Sequence, residues 1–190
     1  MRIIGGQLRG RKLHRPTGRD IRPTADRLRE AVFNILGERV LDARVLDLFA
    51  GTGALAIEAL SRGARDAVLV DRSRAAVRLA QRNLGACGLA DRSRVIRWDI
   101  GRNLNCLSSW PRTFDLVFMD PPYGADILTP ALAALTGCSA LAPEALLVVE
   151  LEAGGRLLPP EGLREHDRRR YGGSEVVFLA TGERRMPLEG

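Results

Sequence analysis

The chain has 190 residues, of which 45% are hydrophobic and 27% are charged, and its net charge is +6. A chain of this length and composition predicts one globular domain with a substantial core. No apolar run is long enough for a transmembrane helix, and the first residues carry no apolar signal core, so we expect a cytoplasmic protein without a membrane partner. The three cysteines are widely spaced, which indicates reduced thiols and no metal site.

The positive charge is concentrated in the N-terminal fifth of the chain. Residues 1–40 contain ten Lys or Arg and four Asp or Glu, whereas the other 150 residues contain nineteen of each. A localised basic patch is typical of a surface that binds nucleic acid, because Lys and Arg neutralise phosphates. The alternative is a basic face that is merely solvated. The candidate RNA-binding residues are Arg9, Arg11, Lys12 and Arg27.

Two local patterns open the chain. Residues 2–13 predict a β-hairpin, because short apolar stretches flank glycine-containing turns. Thr24 can cap a helix that runs to about Leu36. We therefore predict an N-terminal basic hairpin and helix extension over residues 1–40, followed by one compact domain over residues 41–190.

Further along the chain, short apolar runs alternate with helical patterns. This alternation predicts a parallel sheet connected by helices. The predicted strands lie near residues 44–49, 67–71, 94–98, 115–120 and 145–151, and the predicted helices near 54–61, 73–84 and 126–137. Two final runs, 163–170 and 175–180, predict an antiparallel hairpin, which brings the expected total to seven strands.

A glycine-rich turn follows the first strand of this predicted sheet. Gly51 and Gly53 let the backbone turn sharply and approach a ligand closely. Asp71 ends the next apolar run, about 20 residues after Gly51, where a ribose-binding acid is expected. Because Gly51, Gly53 and Ala56 also satisfy a dinucleotide-binding fingerprint, this loop alone does not identify the cofactor.

The sequence Asp-Pro-Pro-Tyr, residues 120–123, ends a later buried strand. Ligands of open α/β sheets bind at the carboxyl ends of the strands. Pro121 and Pro122 donate no N–H, so their carbonyls stay free to accept hydrogen bonds. An acid, a free carbonyl and the ring of Tyr123 suit a planar base with an exocyclic amine. A plain acidic turn is the alternative, and Tyr123 together with the upstream glycine loop argues against it.

The two motifs occur in an informative order. Asp47 precedes Gly51 by four residues, and Asp-x-x-x-Gly-x-Gly followed by Asp-Pro-Pro-Tyr resembles a class I S-adenosylmethionine (AdoMet) methyltransferase acting on an amino nitrogen. This resemblance implies a Rossmann-like α/β fold. Its sheet would be seven-stranded and mostly parallel, with helices on both faces.

Three further stretches narrow the resemblance. Residues 2–13, residues 22–30 and the later Tyr171-Gly172-Gly173-Ser174 are similar to the RsmD family, bacterial methyltransferases of the guanine N2 of 16S rRNA. The match runs from about residue 2 to residue 180. One difference is Asp71, where many relatives have Glu.

The resemblance implies AdoMet as the cofactor and 16S rRNA, within the small ribosomal subunit, as the partner. We expect the chain itself to be a monomer. Asp71 would accept hydrogen bonds from the ribose hydroxyls and Asp99 from the adenine amine, although a surface acid is the alternative for Asp99. Thr24 could bind cofactor, cap its helix, or do both. The implied cofactor-binding residues are Arg22, Thr24, Asp47, Ala50, Gly51, Gly53, Asp71 and Asp99.

The implied catalytic residues are Asp120, Pro121, Pro122 and Tyr123. Asp120 and the Pro121 carbonyl would hold the guanine amine, and Tyr123 would stack on the base. Adenine-N6 methylation of DNA is an alternative, because the same motif binds any exocyclic amine, and methylation of a protein glutamine is a weaker one. A catalytically silent RNA-binding assembly factor is the alternative from another class. No metal is expected.

Overall fold

The computed structural model describes residues 1–16, 23–108, 113–122 and 127–182, with only the backbone for residues 23–25. The helices in these ranges are α1 (Pro23–Leu36), α2 (Ala54–Ser61), α3 (Arg74–Cys87) and α4 (Leu128–Gly137). The strands are β1 (Arg44–Leu48), β2 (Asp66–Asp71), β3 (Ser93–Arg97), β4 (Phe114–Met119), β5 (Leu141–Glu152), β6 (Leu163–Tyr171) and β7 (Ser174–Thr181). Short 3-10 turns occupy Gly37–Val40, Ala90–Arg92 and Asn105–Leu107.

The strands form one seven-stranded sheet with the order β3-β2-β1-β4-β5-β7-β6. β1 to β5 are parallel, and β7 is antiparallel to both β5 and β6. The predicted parallel sheet with a terminal antiparallel hairpin is thereby confirmed. The strand order reverses between β1 and β4, and such a reversal opens a crevice at the carboxyl ends of the strands.

Helices cover both faces of the sheet, as the sequence predicts. On one face α1, α2 and α3 pack around a buried cluster that includes Phe33, Leu60 and Leu84. On the other face α4 packs against the sheet through residues such as Leu132. Because the central strands are buried on both sides, residues 116–119 of β4 are continuously apolar and do not alternate with polar residues.

The N-terminal segment, defined here as residues 1–16, turns back on itself as the sequence predicts, and the Ile3 N–H donates across it to the Arg11 carbonyl at 3.0 Å, but the pairing is short. Its two arms pair through a single antiparallel bridge between Arg2 and Lys12. The reason is that part of its backbone bonds to α2 and not to the opposite arm. The Leu8 N–H, for example, donates to Ser61 Oγ at 2.9 Å.

Gly6 shows how closely this segment lies against α2. Its φ is +73°, in the left-handed region, and a Cβ built on it would lie 2.0 Å from the carbonyl oxygen of Ser61. Both the backbone conformation and the available space therefore require glycine at this position.

α1 begins one residue before the predicted cap. The helix starts at Pro23, so Thr24 lies inside its first turn and not at its N-cap. Proline is favoured at the first helical position, because the N–H that it lacks would have no partner there. The predicted end is confirmed, since the α-helix stops at Leu36 and Gly37 takes a φ of +50°.

A buried ionic cluster joins the N-terminal segment to α1 and α2. Glu58 is 1% exposed, and its carboxylate accepts hydrogen bonds from the Ile4 N–H at 2.8 Å and the Gly5 N–H at 2.7 Å. Arg62 Nε donates to the same carboxylate at 2.9 Å. Arg29 Nε lies 3.5 Å away, an ion pair that is too poorly aligned to be a hydrogen bond. Glu58 therefore holds three parts of the chain together.

Replacing Glu58 with alanine should lower the free energy of unfolding by about 3–5 kcal/mol, the scale for breaking a buried ion pair. The buried Arg29 would keep only Asp26 as an ion-pair partner, and two backbone N–H groups would lose their acceptor. Urea unfolding followed by circular dichroism measures this loss. The control is Glu38→Ala, which removes an exposed carboxylate and should leave stability near that of the wild type. A loss below about 1 kcal/mol for Glu58→Ala would mean that water replaces the lost bonds.

Candidate active site

A large cavity opens at the carboxyl edge of the sheet, where the strand order reverses. Its volume is about 990 Å³, and its walls include the loops that follow β1, β2, β3 and β4. The register explains this convergence, because Leu48 on β1 is level with Val70 on β2 and with Met119 on β4. The residues that follow these three strands therefore meet at one place.

The loop between β1 and α2 lines this cavity. Gly51 and Gly53 take φ values of +54° and +76°, which favour glycine. A Cβ on Gly53 would lie 2.9 Å from Leu69 Cδ2, so packing against β2 also excludes a side chain. Phe49 has a φ of +67°, which is rare for an aromatic residue and which no sequence pattern indicated. Such strained residues concentrate at functional sites.

Asp71 connects this loop to the start of α3. One of its carboxylate oxygens accepts from the Gly51 N–H at 2.9 Å, and the other accepts from the Ser73 N–H at 2.7 Å. The Ala50 N–H adds a bond to the carbonyl of Val70 at 3.1 Å. Each carboxylate oxygen keeps a second lone pair, so Asp71 can hold the loop and still accept hydrogen bonds from a ligand.

Asp47 is the most deeply buried carboxyl group of the cavity wall, with 2% of the residue exposed. Its Oδ2 accepts from the Ala56 N–H, in the first turn of α2, at 3.2 Å. Burial raises the pKa of Asp47 to about 8; the bond from Ala56 opposes this shift, and the charges of Asp120 and Asp71 add to it. At neutral pH the group therefore holds a proton unless a cation lies beside it.

Asp120 follows the last residue of β4 and lines the cavity together with Pro121 and Pro122. The surrounding protein raises the pKa of Asp120, and the negative charge of Glu150 adds to this effect. Asp120 is nevertheless exposed to solvent, and water in the open cavity moderates the increase. It can therefore accept a hydrogen bond from a ligand and also take up a proton near neutral pH.

Asp99 lies two residues after the end of β3. The strand ends at Arg97, one residue before the predicted end at Trp98. Its side chain is 43% exposed, and its Oδ2 lies 3.4 Å from Arg102 Nε. It lines the cavity beside Ile100 and Gly101. A carboxylate with one exposed ion pair keeps lone pairs for a donor on a ligand.

Another part of the cavity wall comes from the N-terminal segment, which no sequence motif indicated. Arg15 and Pro16 line the cavity beside the loop after β1. No local pattern marks them, because a tertiary contact brings them there. Predicted residues Arg22 and Tyr123 lie outside the described residues, as does the side chain of Thr24.

The predicted RNA-binding residues lie on the surface. Arg9, Arg11, Lys12 and Arg27 are all exposed. Arg11 has a structural contact as well, because its Nη1 donates to the Ala86 carbonyl in the last turn of α3 at 3.0 Å. Basic side chains often stabilise helix C-termini in this way. Arg9, Lys12 and Arg27 are therefore better candidates for phosphate contacts than Arg11.

Carboxyl groups make up four of the six ionisable side chains that line the cavity. They suit a ligand that carries positive charge and several hydrogen-bond donors. The charged residues that line it are Asp47, Asp71, Asp99, Asp120, Arg15 and Arg72.

Some other kinds of site have no counterpart in the part of the chain that the structure describes. It contains no group of three or more His, Cys, Asp or Glu side chains placed to hold a metal ion. Cys87, Cys106 and Cys138 are free thiols. Over the same ranges, no helix is long and apolar enough to cross a membrane.

The strand order and the loops at its reversal define a class I methyltransferase fold. The solved structure of the putative methyltransferase yhhF from Escherichia coli is similar to this chain, with a TM-score of 0.84 and 37% identity. The match covers 95% of this chain and 97% of the yhhF chain. The putative methylase HI0767 from Haemophilus influenzae matches with a TM-score of 0.78 and 30% identity, over 96% and 98% of the two chains. The predicted fold class is confirmed.

The chain belongs to the family described as Conserved hypothetical protein 95, whose model matches residues 1–180. It is 41% identical over 152 residues to the ribosomal RNA small subunit methyltransferase D of Escherichia coli (strain K12), covering 80% of this chain and 75% of the relative. It is 37% identical over 150 residues to the putative rRNA methyltransferase YlbH of Bacillus subtilis (strain 168), covering 79% and 82%. The predicted membership of the RsmD family is confirmed.

Asp47→Asn should remove a pH dependence of stability. The folded Asp47 carboxyl keeps its proton up to a pKa of about 8, whereas the unfolded chain releases it near pH ~4. Between these values the folded state binds more protons than the unfolded state, so stability falls as the pH rises. Relative to the wild type, the Asn variant should gain ~2–4 kcal/mol between about pH 5 and pH 8, measured by urea unfolding.

The matched control is Asp91→Asn, which neutralises an exposed carboxylate that does not line the cavity. Its stability should follow the wild-type pH profile. If the profiles of Asp47→Asn and the wild type ran parallel, the Asp47 carboxyl would have to be ionised in the folded protein.

Proposed function

We propose that this chain transfers a methyl group from AdoMet to the exocyclic N2 of a guanine in 16S rRNA of the small ribosomal subunit. The observation that carries the proposal is that Asp71, beside the glycine loop, shares one cavity with Asp120, Pro121 and Pro122. Asp71 and the glycine loop suit a cofactor that carries a ribose, and the Asp-Pro-Pro residues suit an exocyclic amine. Methyl transfer needs both ligands in contact, and the names of the relatives point to rRNA.

The donors and charges of AdoMet match the residues of the cavity. Asp71 accepts from the ribose hydroxyls, which gives charge-assisted hydrogen bonds. Asp47 faces the ammonium, whose positive charge lowers the raised pKa of Asp47 and favours its carboxylate form. Asp99 accepts from the adenine amine. The backbone of residues 50–53 passes beside the methionine part. The methionine carboxylate is assigned to Arg22 and Thr24.

The chain's own residues mainly have to position the acceptor nitrogen. AdoMet supplies a methyl group that its sulfonium already activates. Asp120 and the Pro121 carbonyl each accept a hydrogen bond from the guanine amine, which draws the nitrogen toward tetrahedral geometry. Both bonds strengthen as positive charge develops on the nitrogen, so they favour the transition state over the ground state. The raised pKa of Asp120 suits it to receive the proton that the methylated nitrogen releases.

The base must leave its stack to enter this cavity. Tyr123 would then stack on the base, and Pro122 would line the cavity wall beside it. A guanine that is already unpaired meets this requirement at the smallest energetic cost. Entry of the base into the cavity does not by itself determine which guanine is methylated, so contacts elsewhere on the RNA must do so.

The basic surface of the N-terminal segment is the proposed RNA contact. Arg9 and Lys12 are exposed on the segment, and Arg27 is exposed on α1. Phosphate contacts position a nucleic acid without reading its sequence. We therefore expect the choice of target to depend on the shape of the small subunit. We also propose that the chain acts as a monomer in the cytoplasm.

Tritiated methyl transfer tests the function directly. Undermethylated small subunits, naked 16S rRNA and duplex DNA are offered separately with labelled AdoMet, and the products are digested to nucleosides. Label in N2-methylguanosine from the subunits is the expected result. Label in N6-methyldeoxyadenosine from DNA would instead support a DNA adenine methyltransferase. No label in any substrate would support a silent assembly factor.

Asp120→Ala should lower the single-turnover rate of this transfer by ~10²–10³, the usual effect of losing one positioned electrostatic partner. Asp120→Asn should be less damaging, because the amide keeps an acceptor oxygen and loses only the charge. AdoMet affinity, measured by calorimetry, should change little in both variants. Glu144→Ala, an exposed change near the start of β5, serves as the control. Full activity in Asp120→Ala would show that another group holds the amine.

Replacing Arg9 and Lys12 together with alanine should reduce the salt dependence of RNA binding by ~2 units of slope, because each phosphate contact releases counterions. Arg11 stays unchanged, since it also supports α3. The control is Arg65→Ala with Arg94→Ala, which removes two exposed charges near the amino edge of the sheet. Filter binding at several salt concentrations measures both slopes. Equal slopes in the two double variants would remove the segment from the RNA interface.

A further inference from the structure

Asn83 is a fully buried polar residue on α3, with 0% exposed. Its amide makes hydrogen bonds to two separate parts of the chain. Oδ1 accepts from the His14 N–H at 2.7 Å, and Nδ2 donates to the His14 carbonyl at 3.2 Å. Nδ2 also donates to the Thr52 carbonyl at 2.9 Å. Both donors of the amide and its oxygen are therefore engaged, as burial requires.

One partner of Asn83 lies in the segment proposed to bind RNA, and the other lies in the loop proposed to bind the cofactor. His14 is in the N-terminal segment, which carries the exposed Arg9 and Lys12. Thr52 is in the glycine loop that lines the cavity. One side chain thus touches both the segment that would meet RNA and the loop that would meet the cofactor.

α3 supports both partners over one short stretch of helix. A Cβ on Gly53 would lie 3.4 Å from Ala80 Cβ, so the glycine loop packs directly on this helix. Ala80 and Asn83 are three residues apart and therefore share one helix face. Immediately after His14, Arg15 joins the cavity wall. A displacement of the segment at His14 would therefore reach the cavity in two ways, through Arg15 and through the amide of Asn83.

We propose that Asn83 is a positioning residue that couples the N-terminal segment to the cofactor loop. AdoMet binds tightly only while the segment is seated on Asn83, because the same amide fixes the loop through Thr52. Coupling of this kind is reciprocal, so RNA that holds the segment in place raises AdoMet affinity by the factor with which AdoMet raises RNA affinity. This inference rests on the proposed function, which supplies both ligands.

Calorimetric titration with AdoMet tests the coupling in the full chain without RNA. Asn83→Ala removes all three hydrogen bonds, and Asn83→Leu removes them while keeping the branching and heavy-atom count of the side chain. Both should weaken AdoMet binding roughly tenfold, the scale of one or two neutral hydrogen bonds. Thermal unfolding of each variant checks that it still folds cooperatively.

Ser61→Ala is the matched control, because Ser61 anchors the same segment at a different place. Its Oγ accepts from the Leu8 N–H at 2.9 Å and donates to the Gly5 carbonyl at 2.7 Å, on α2 and apart from the residues that line the cavity. This variant removes the bonds at Gly5 and Leu8 and leaves the bonds of Asn83 to His14 and Thr52 in place. Its AdoMet affinity should stay within about twofold of the wild type.

Hydrogen exchange adds a measurement that loss of stability alone would not reproduce. In the wild type, AdoMet should slow exchange of the amides of His14 and Arg15 as well as those of residues 51–53. In Asn83→Leu it should slow only the loop amides, and in Ser61→Ala it should still slow both sets. This experiment needs no variant to show the basic effect, so the wild-type chain alone can contradict the inference.

The possible failures point to different conclusions. If the wild type binds AdoMet and Asn83→Leu binds it equally well, the coupling is wrong while the proposed function stands. If wild-type AdoMet binding leaves exchange at His14 and Arg15 unchanged, the coupling is again wrong. A folded wild type that does not bind AdoMet would overturn the proposed function and this inference together.

Discussion

The carboxylate of Asp71 is the interaction on which the arrangement of the site depends. It accepts one hydrogen bond from the loop after β1, at Gly51, and one from the start of α3, at Ser73. Hydrogen bonds to a charged acceptor contribute about 1.5–3 kcal/mol each. The strained backbone of Phe49 costs about 1–3 kcal/mol. The two hydrogen bonds to Asp71 therefore offset the strain at Phe49. The loop stays in the conformation that lines the cavity.

The N-terminal segment depends on buried polar side chains from two helices. Glu58 and Ser61 hold it on α2, and Asn83 holds it on α3. Burial of Ile3 and Leu13 in the core adds apolar contact. Apolar contact is non-directional, whereas hydrogen bonds specify which backbone groups meet. This difference explains how an irregular segment can occupy a defined position without forming a strand ladder.

The cavity gathers carboxylates at some cost to the fold. Burial of Asp47 and the charges of its neighbours disfavour its ionised form. Groups with strongly shifted pKa values concentrate at functional sites, because burial and neighbouring charges there tune side chains for binding and catalysis. A ligand with positive charge would reverse this penalty and stabilise the folded chain on binding. The buried Asp47 carboxyl that destabilises the fold would then also favour a ligand with positive charge.

The sequence by itself determined the alternation of strands and helices, the terminal hairpin, the family and the main cavity carboxylates. Those features depend on short-range periodicity or on motifs such as Gly-x-Gly and Asp-Pro-Pro. Sequence reasoning was incomplete where the chain bonds to distant parts of itself. The predicted hairpin over residues 2–13 pairs through one bridge only, because side chains of α2 accept hydrogen bonds from several of its backbone N–H groups.

Only the tertiary structure decided that Arg15 lines the cavity and that Glu58 and Asn83 anchor the N-terminal segment. Glu58 and Asn83 lie 54 and 69 residues from their partners Ile4 and His14. Local propensity describes the period of a helix and cannot say which distant carbonyl or N–H a buried side chain will meet. Burial makes those bonds obligatory, and the folded chain alone specifies their partners.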